Sequence, residues 1–431
     1  MAIAKSWVVI MNKFYILFFC LLLVLSCSEK EQAHAHFNGC EELNPNKHDY
    51  FLIGQGQWIG QLDIKKNKKI PFNFEVIQDS VFIINSEERI GAKITHYGDS
   101  ILIKMPVFDS EFHFTKTTNG LAGYWYNNAK KNYKLPFTAR LNKAGIKNRF
   151  GISQNNNYKI YDGEWETTFS QGSDEEYKAI AAFDQDQQYV AGTFITQTGD
   201  YRFLQGNISG DSILLSCFDG SHAFLFEGRL VDGIINGQFY SGSHWSEPWV
   251  CSKNELFTLA NPYSLTNQVK EKKLEFTFPG IDGKNVSYPS KCYDDKVVII
   301  QILGSWCPNC VDETRFFTAL HNQYQHRGLE IIGLAFEVPE ELSDKTARVK
   351  DLKSHFNSRY EFLIAGNASK KEAQKALPVL SEVSSFPTTI FIGKKGEIRK
   401  IHTGFYGPGT GDYYAKYVSE VNVLVESLLS E

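Results

Sequence analysis

Long charge runs, a second Cys-x-x-Cys pair and an apolar stretch of confident membrane-spanning length are all missing from this chain. Lys and Arg number 45 against 49 Asp and Glu, for a formal charge of -4 with no basic block. That balance argues against a nucleic-acid partner. A single Cys-x-x-Cys, Cys307 and Cys310, is half of what a four-ligand zinc site takes, so no metal site is expected. The most apolar stretch, residues 14–25, is shorter than the ~20 residues of a spanning helix. What remains is ordinary globular composition, 42% hydrophobic and 22% charged. The 32 Phe and 21 Tyr tilt it toward β-structure. At 431 residues the chain exceeds one core, and two or three domains are expected.

The short apolar stretch follows Lys13 and has the length of a signal h-region. It ends in Val24-Leu25-Ser26-Cys27, which resembles a bacterial lipoprotein processing box. Cleavage before Cys27 would free that thiol to carry lipid. The expectation is a signal peptide over residues 1–26 and a polar tether over 27–50; a plain signal peptide or N-terminal anchor is the competing reading. Met11 is an alternative start, and His34 and His36 read as solvated tether residues rather than half a metal site. The mature protein would then sit outside the cytoplasm on an inner or outer bacterial membrane, where disulfides persist. Ser28-Glu29-Lys30-Glu31 faintly resembles a surface-export tag, but an ordinary linker explains it as well. Cys20 leaves with the signal; Cys40 and Cys292 read as structural or incidental.

A duplication fills the region up to residue 261. Gly56-Gln57-Trp58 returns as Gly163-Glu164-Trp165, and Gly98-Asp99-Ser100-Ile101-Leu102 as Gly210-Asp211-Ser212-Ile213-Leu214. Phe112-His113-Phe114 returns as Phe224-Leu225-Phe226, and Gly123-Tyr124-Trp125-Tyr126 as Gly237-Gln238-Phe239-Tyr240. The offset drifts by a few residues, so the second copy carries insertions. Short alternating runs between Gly, Asn and Asp turns predict a β-meander in each copy, residues 51–150 and 151–261. Each would close as a small barrel or sandwich with its leading Trp in the core. Cys217 and Cys251 fall in the second copy only and read equally as a bridge or as two buried thiols.

After a polar linker at 262–273 the period changes to alternating strands and helices, which predicts an α/β domain over 274–431. Val297 to Leu303 is continuously apolar and reads as a buried parallel strand. It runs into Trp306-Cys307-Pro308-Asn309-Cys310, and a helical pattern with Phe316, Phe317, Leu320 and Tyr324 follows. Strand, Cys-x-x-Cys turn and helix start together read as a redox site. The first cysteine sits at a helix N-terminus, where free N–H groups and the helix dipole stabilise negative charge. Cys307 therefore has the position of the attacking sulfur. Pro308 suits the first turn, where its missing N–H costs nothing. Cys310 would resolve the mixed disulfide.

From about residue 274 onward the chain resembles the TlpA/ResA-type thiol–disulfide oxidoreductases of the thioredoxin superfamily. Gly304 to Cys310 carries the strongest match, and Phe386-Pro387-Thr388-Thr389 matches the loop that holds a cis-proline facing the active sulfurs. The resemblance implies a thioredoxin-like fold and catalysis by Cys307 and Cys310. It implies substrate docking at Trp306, Pro308, Phe386 and Pro387. It also implies a carboxylate near the site, Glu313, to tune a thiol or pass a proton; a first-turn Glu favoured by the dipole is the competing reading. No dissociable cofactor is implied beyond the redox-active Cys307–Cys310 disulfide. Clients would be disulfide-containing proteins, and electrons would come from a membrane-embedded donor. Three departures stand out: Gln301 where cytoplasmic thioredoxins carry a buried Asp, Arg315 where a Pro is frequent, and the bulky Phe386. An oxidising role uses the same motif, and a binding lipoprotein whose β-repeats hold a cell-envelope partner is the alternative from another class.

Overall fold

A computed structural model describes residues 53–431 apart from Glu255. The expected signal peptide, the lipid-attachment Cys27, the tether and Cys40 lie outside the described residues. No helix among the described residues is long and apolar enough to cross a membrane.

Both repeats are closed eight-stranded antiparallel barrels of up-and-down order. The first holds β1 (Gly56–Asp63), β2 (Lys69–Ile77), β3 (Ser80–Asn85), β4 (Glu88–Tyr97), β5 (Ser100–Lys104), β6 (Ser110–Thr117), β7 (Gly120–Asn127) and β8 (Tyr133–Leu141). The second holds β9 (Gly163–Phe169), β10 (Tyr177–Asp186), β11 (Tyr189–Thr196), β12 (Leu204–Ser209), β13 (Ser212–Phe218), β14 (Ala223–Val231), β15 (Ile234–Ser241) and β16 (Trp245–Ser252). The last strand of each pairs with its first, β8 with β1 and β16 with β9, so neither barrel leaves an edge. Every sequence landmark falls on the matching strand or hairpin. Trp58 and Trp165 are buried, and each indole N–H donates to the carbonyl four residues earlier, Gly54 at 2.8 Å and Tyr161 at 2.7 Å.

Side chains alternate across each strand, and the inward set fills the barrels. On β2 the inward residues are Ile70, Phe72, Phe74 and Val76. On β14 Phe224 and Phe226 enter the second barrel, while Ala223 and Leu225 belong to the core of the first. Free space within the first barrel is about 10 Å³, lined by Phe and aliphatic side chains. That is one water's worth of room at most, so the interior is core and not a ligand cavity.

The barrels share a joint. Phe218, at the end of β13, stacks among Phe72, Phe112 and Trp125, with ring centroids at 4.7, 5.3 and 5.2 Å. Arg149, in the connection between barrels, is fully buried. Its guanidinium donates to Ile84 O of the first barrel and to Ser216 O and Gln205 Oε1 of the second. Cys217 and Cys251 are free buried thiols, and Cys251 Sγ sits 2.9 Å from Thr167 Oγ1. Of the two readings open from the sequence, separate thiols is the one observed.

The C-terminal part is thioredoxin-like. A hairpin of β17 (Phe276–Pro279) and β18 (Asn285–Tyr288) precedes β19 (Val297–Leu303), α1 (Pro308–Tyr324), β20 (Leu329–Glu337), α2 (Leu342–Phe356) and β21 (Glu361–Asn367). Then come α3 (Lys370–Ala376), β22 (Thr388–Ile392), β23 (Ile398–Thr403) and α4 (Asp412–Leu429). The mixed sheet has the order β21-β20-β19-β22-β23, with β19 central, parallel to β20 and antiparallel to β22. Every residue of β19 is buried, since helices or the hairpin cover both faces. Val297, Ile299 and Leu303 face α1, α2 and α4, and Val298, Ile300 and Ile302 face α3 and the hairpin. The short α3 had no clear sequence signal; Ser369 caps it by accepting the Glu372 N–H.

Candidate active site

The central strand β19 delivers Gly304 to Cys307 at the C-terminal edge of the sheet, and α1 starts at once. Cys307 is the N-cap of α1, and its sulfur accepts the Cys310 N–H at 3.3 Å. A Cys N-cap takes the place that Ser or Asp usually holds, and it directs a free amide at the sulfur. Pro308 occupies the first helical turn. Cys307 Sγ also lies 3.6 Å from the Phe386 carbonyl oxygen, in donor geometry, and the Phe386–Pro387 peptide is cis. Both cysteines are free thiols.

Cys310 has no exposed surface, and burial pushes its thiol well above the usual range, with Cys307 beside it adding to the rise. Glu313, one turn further along α1, is completely buried. It accepts from Gln301 Nε2, Thr389 Oγ1 and Tyr417 Oη, each at 2.9 Å. Burial pushes its carboxyl up to about 7, against the pull of those three donors. Gln301 Nε2 also reaches Cys310 O at 3.5 Å, so the neutral amide bridges carboxyl and cysteine. Glu313 lies beyond the first turn of α1, in contact with three donors inside the core.

A second buried carboxylate was not foreseen. Glu337, at the end of β20, accepts Ser305 N at 2.8 Å and Ser305 Oγ at 2.7 Å, and burial pushes it up to about 7. It pins the turn that leads into Cys307. Trp306 donates its indole N–H to Phe336 O at 2.9 Å and stands edge-on to Phe386 at 5.6 Å. Of the four residues expected to dock substrate, Pro308 and Pro387 are buried, and Trp306 and Phe386 are half-buried.

Both barrels bear on this domain, and Val107 and Phe108 of the first pack against its core. Ser221, between β13 and β14, reaches Trp306 O at 3.4 Å from one flank of the turn. On the other flank the β11–β12 connection presses on the loop after β23: Phe405 N meets Thr198 O at 3.4 Å. A Cβ on Gly199 would lie 2.4 Å from Asn309 Nδ2. A Cβ on Gly404 would lie 2.4 Å from Thr198 O, so only glycine fits there. Cys307 retains 7% of its surface. Nothing in the sequence marked Ser221, Thr198 or Gly199, because loop contacts between domains leave no periodic pattern.

Arg202 closes the junction. Its buried guanidinium bonds Asp312 of α1 and Glu88 of the first barrel, the latter at 2.5 Å, with Asp219 Oδ2 3.4 Å from Nε. Asp200 accepts from Arg202 N and from Gly407 N, both at 2.7 Å. One cation therefore ties both barrels to the helix that carries the cysteines. Among the described residues no cluster of His, Cys, Asp and Glu is placed to hold a metal ion.

Residues 269–401 match the AhpC/TSA family. Among curated proteins, the thiol-disulfide oxidoreductase ResA of Halalkalibacterium halodurans is 25% identical over 134 residues, covering 31% of this chain and 68% of that protein. ResA of Geobacillus thermodenitrificans is 27% identical over 112 residues, 26% of this chain and 57% of that one. The chain thus spans little more than half the length of the second relative. Among solved structures, a thioredoxin-family thiol:disulfide interchange protein from Chlorobium tepidum is 18% identical, with a TM-score of 0.28, covering 36% of this chain and 94% of that one. StoA from Bacillus subtilis is 20% identical with a TM-score of 0.25, covering 34% and 96%. All these matches cover the C-terminal part alone.

Proposed function

With its C-terminal part a thioredoxin-like thiol–disulfide oxidoreductase domain, we propose that the chain is a lipid-tethered, extracytoplasmic reductant of protein disulfides that works through Cys307 and Cys310. The observation that carries the reading is the Cys307 sulfur itself. It caps α1, takes the Cys310 amide and lies against the cis-proline loop. A thiolate there attacks a substrate disulfide and forms a mixed disulfide, and the first substrate sulfur leaves as a thiol. Cys310 then loses its proton and attacks Cys307, and the second substrate sulfur leaves. Two electrons pass to substrate, and a Cys307–Cys310 disulfide remains for a membrane-embedded donor to reduce.

The resolving step needs a base, because burial holds the Cys310 proton on. Glu313 suits that role: a carboxyl pushed up to about 7 takes and returns a proton near neutrality. Attachment at Cys27 and the cell-envelope location rest on the sequence pattern at residues 13–27.

In the decisive experiment Cys310→Ser is used as a trap. Mixed disulfides with clients should accumulate on Cys307 and vanish in the Cys307→Ser, Cys310→Ser double variant. Equal trapping by the double variant would sink the reading. A reduction potential near that of thioredoxin supports the reducing direction, and a much higher one reverses it.

A further inference from the structure

The second barrel walls one side of a cleft that opens beside the redox turn. The cleft runs between Tyr177, Lys178 and the 196–201 segment on one side and Asn309, Ser385 and Phe386 on the other. Phe386 supplies the carbonyl 3.6 Å from Cys307 Sγ, so the cleft begins one contact away from the nucleophile. Its free volume is about 500 Å³, the size range of small-molecule sites. Apart from Leu259 and Phe386 its lining is mainly polar, with Lys178, Gln197, Thr198 and Asn309 carrying ammonium, amide and hydroxyl groups. A surface that docks protein concentrates apolar side chains at its centre. This one does not, and Ser221 and Thr198 touch the Cys307 turn and the loop after β23 on its two sides.

We propose that, with the barrels seated as they are, the substrate able to reach Cys307 is a polar low-molecular-weight disulfide, and that the second barrel is part of its binding site. The inference rests on the Cys307–Cys310 exchange chemistry of the proposed function and departs from it in the substrate: with the barrels seated, a small disulfide takes the place of the protein client, and the second barrel becomes part of the site. The Cys307 thiolate attacks the small disulfide RS–SR, forms Cys307–S–S–R and releases RS⁻, which takes up a proton. Cys310 resolves this intermediate, its proton passing by way of Glu313 to the second RS⁻. The sum is one RS–SR reduced to two RSH and one dithiol oxidised to the Cys307–Cys310 disulfide, which an external dithiol reduces again.

Lys178 provides a charge readout that a structural role would not produce. Its ammonium bonds Glu166 Oε1 and Thr168 Oγ1 at 2.9 Å on the cleft wall, and its side chain is 46% exposed. The test follows mixed-disulfide formation on Cys307 by mass spectrometry in the full chain carrying Cys310→Ser, with Lys178 intact and with Lys178→Glu. The probes are glutathione disulfide, which is anionic, cystamine, which is cationic, and insulin. With Lys178 intact, glutathione disulfide should react about tenfold faster per disulfide than insulin. Lys178→Glu should slow glutathione disulfide about threefold or more and speed cystamine by a similar factor. Insulin reacting as fast as glutathione disulfide, or Lys178→Glu moving the two small probes together or not at all, overturns the inference and leaves the exchange chemistry standing. Failure of all three probes to modify Cys307 overturns the exchange chemistry as well.

Discussion

The two barrels share one strand plan and differ in what closes the end where odd strands turn into even ones. In the first barrel that end is stopped by Phe218, a residue of the second. In the second barrel it is the redox domain that sits there, against Ser221 and the β11–β12 connection. The difference lies in loops. β3 and β4 are joined by two residues, Ser86 and Glu87, whereas the matching β11–β12 connection runs from Gln197 to Phe203. That longer connection carries Thr198, Gly199, Asp200 and Arg202, which reach the C-terminal domain and, through Arg202, Glu88 of the first barrel. Phe218 shows the same divergence: the strand landmarks align it with Pro106 in the first barrel. Copies of a closed barrel have no free edges to pair, so their loops were free to take different work.

The largest break in that comparison is expected from Arg202→Met. It removes the cation that Glu88, Asp219 and Asp312 share in the junction, and taking one partner out of a buried ion pair costs about 3–5 kcal/mol. Urea titration should show the loss, and alkylation of Cys307 by iodoacetamide should speed up as the barrels loosen. Full protection of Cys307 in a folded Arg202→Met protein would mean that the barrels are held by something else. Phe218→Ala comes next, because it empties the stopper of the first barrel for about 3 kcal/mol. It should lower the urea midpoint and leave the trapping chemistry of Cys307 in place; lost trapping would tie the first barrel to the redox site.

Asp200 sharpens the comparison through pH. Its half-buried carboxyl is pushed up from 3.8 to about 6, chiefly by burial. A raised folded value means that its contribution to stability is complete below about pH 4 and is lost as pH rises through about 6. Asp200→Asn should flatten the stability profile in that window. It should also lose one of the two backbone N–H bonds at every pH, as read by urea midpoints at several pH values. The smallest effect is expected at Gly199. Alanine there displaces only the Asn309 carboxamide, at less than about 1 kcal/mol, whereas Gly404→Ala meets the Thr198 backbone at φ +83 and should cost about 1–3 kcal/mol. Equal losses at the two glycines would show that the loop bears on Asn309 as hard as on Gly404.

Much of this was legible beforehand. The repeat landmarks led to two β units because turns and alternation are local, and Trp58 and Trp165 read as core because both open a strand. The barrel-or-sandwich choice stayed open because closure depends on β1 meeting β8, a pairing across the whole repeat. At the site, Cys307 and Cys310 stood out by motif, and Pro387 and Glu313 only through the family resemblance. Glu337 did not, since its link to Ser305 spans 32 residues between two strand ends. Arg202 was silent for the same reason, being a single charge in a loop whose partners Asp312 and Glu88 lie more than one hundred positions away.

The sequence by itself determined the elements and the chemistry. Periodicity sets strand against helix, a Cys-Pro-x-Cys turn after a buried strand is what the proposed dithiol exchange rests on, and Gln301 stands where an Asp would otherwise be sought on that strand. Tertiary structure alone decided that this dithiol is sheltered. Whether a sulfur is open to a partner depends on which surfaces meet around it. Here those surfaces are loops of a duplicated barrel, joined through one buried guanidinium to the helix that Cys307 caps.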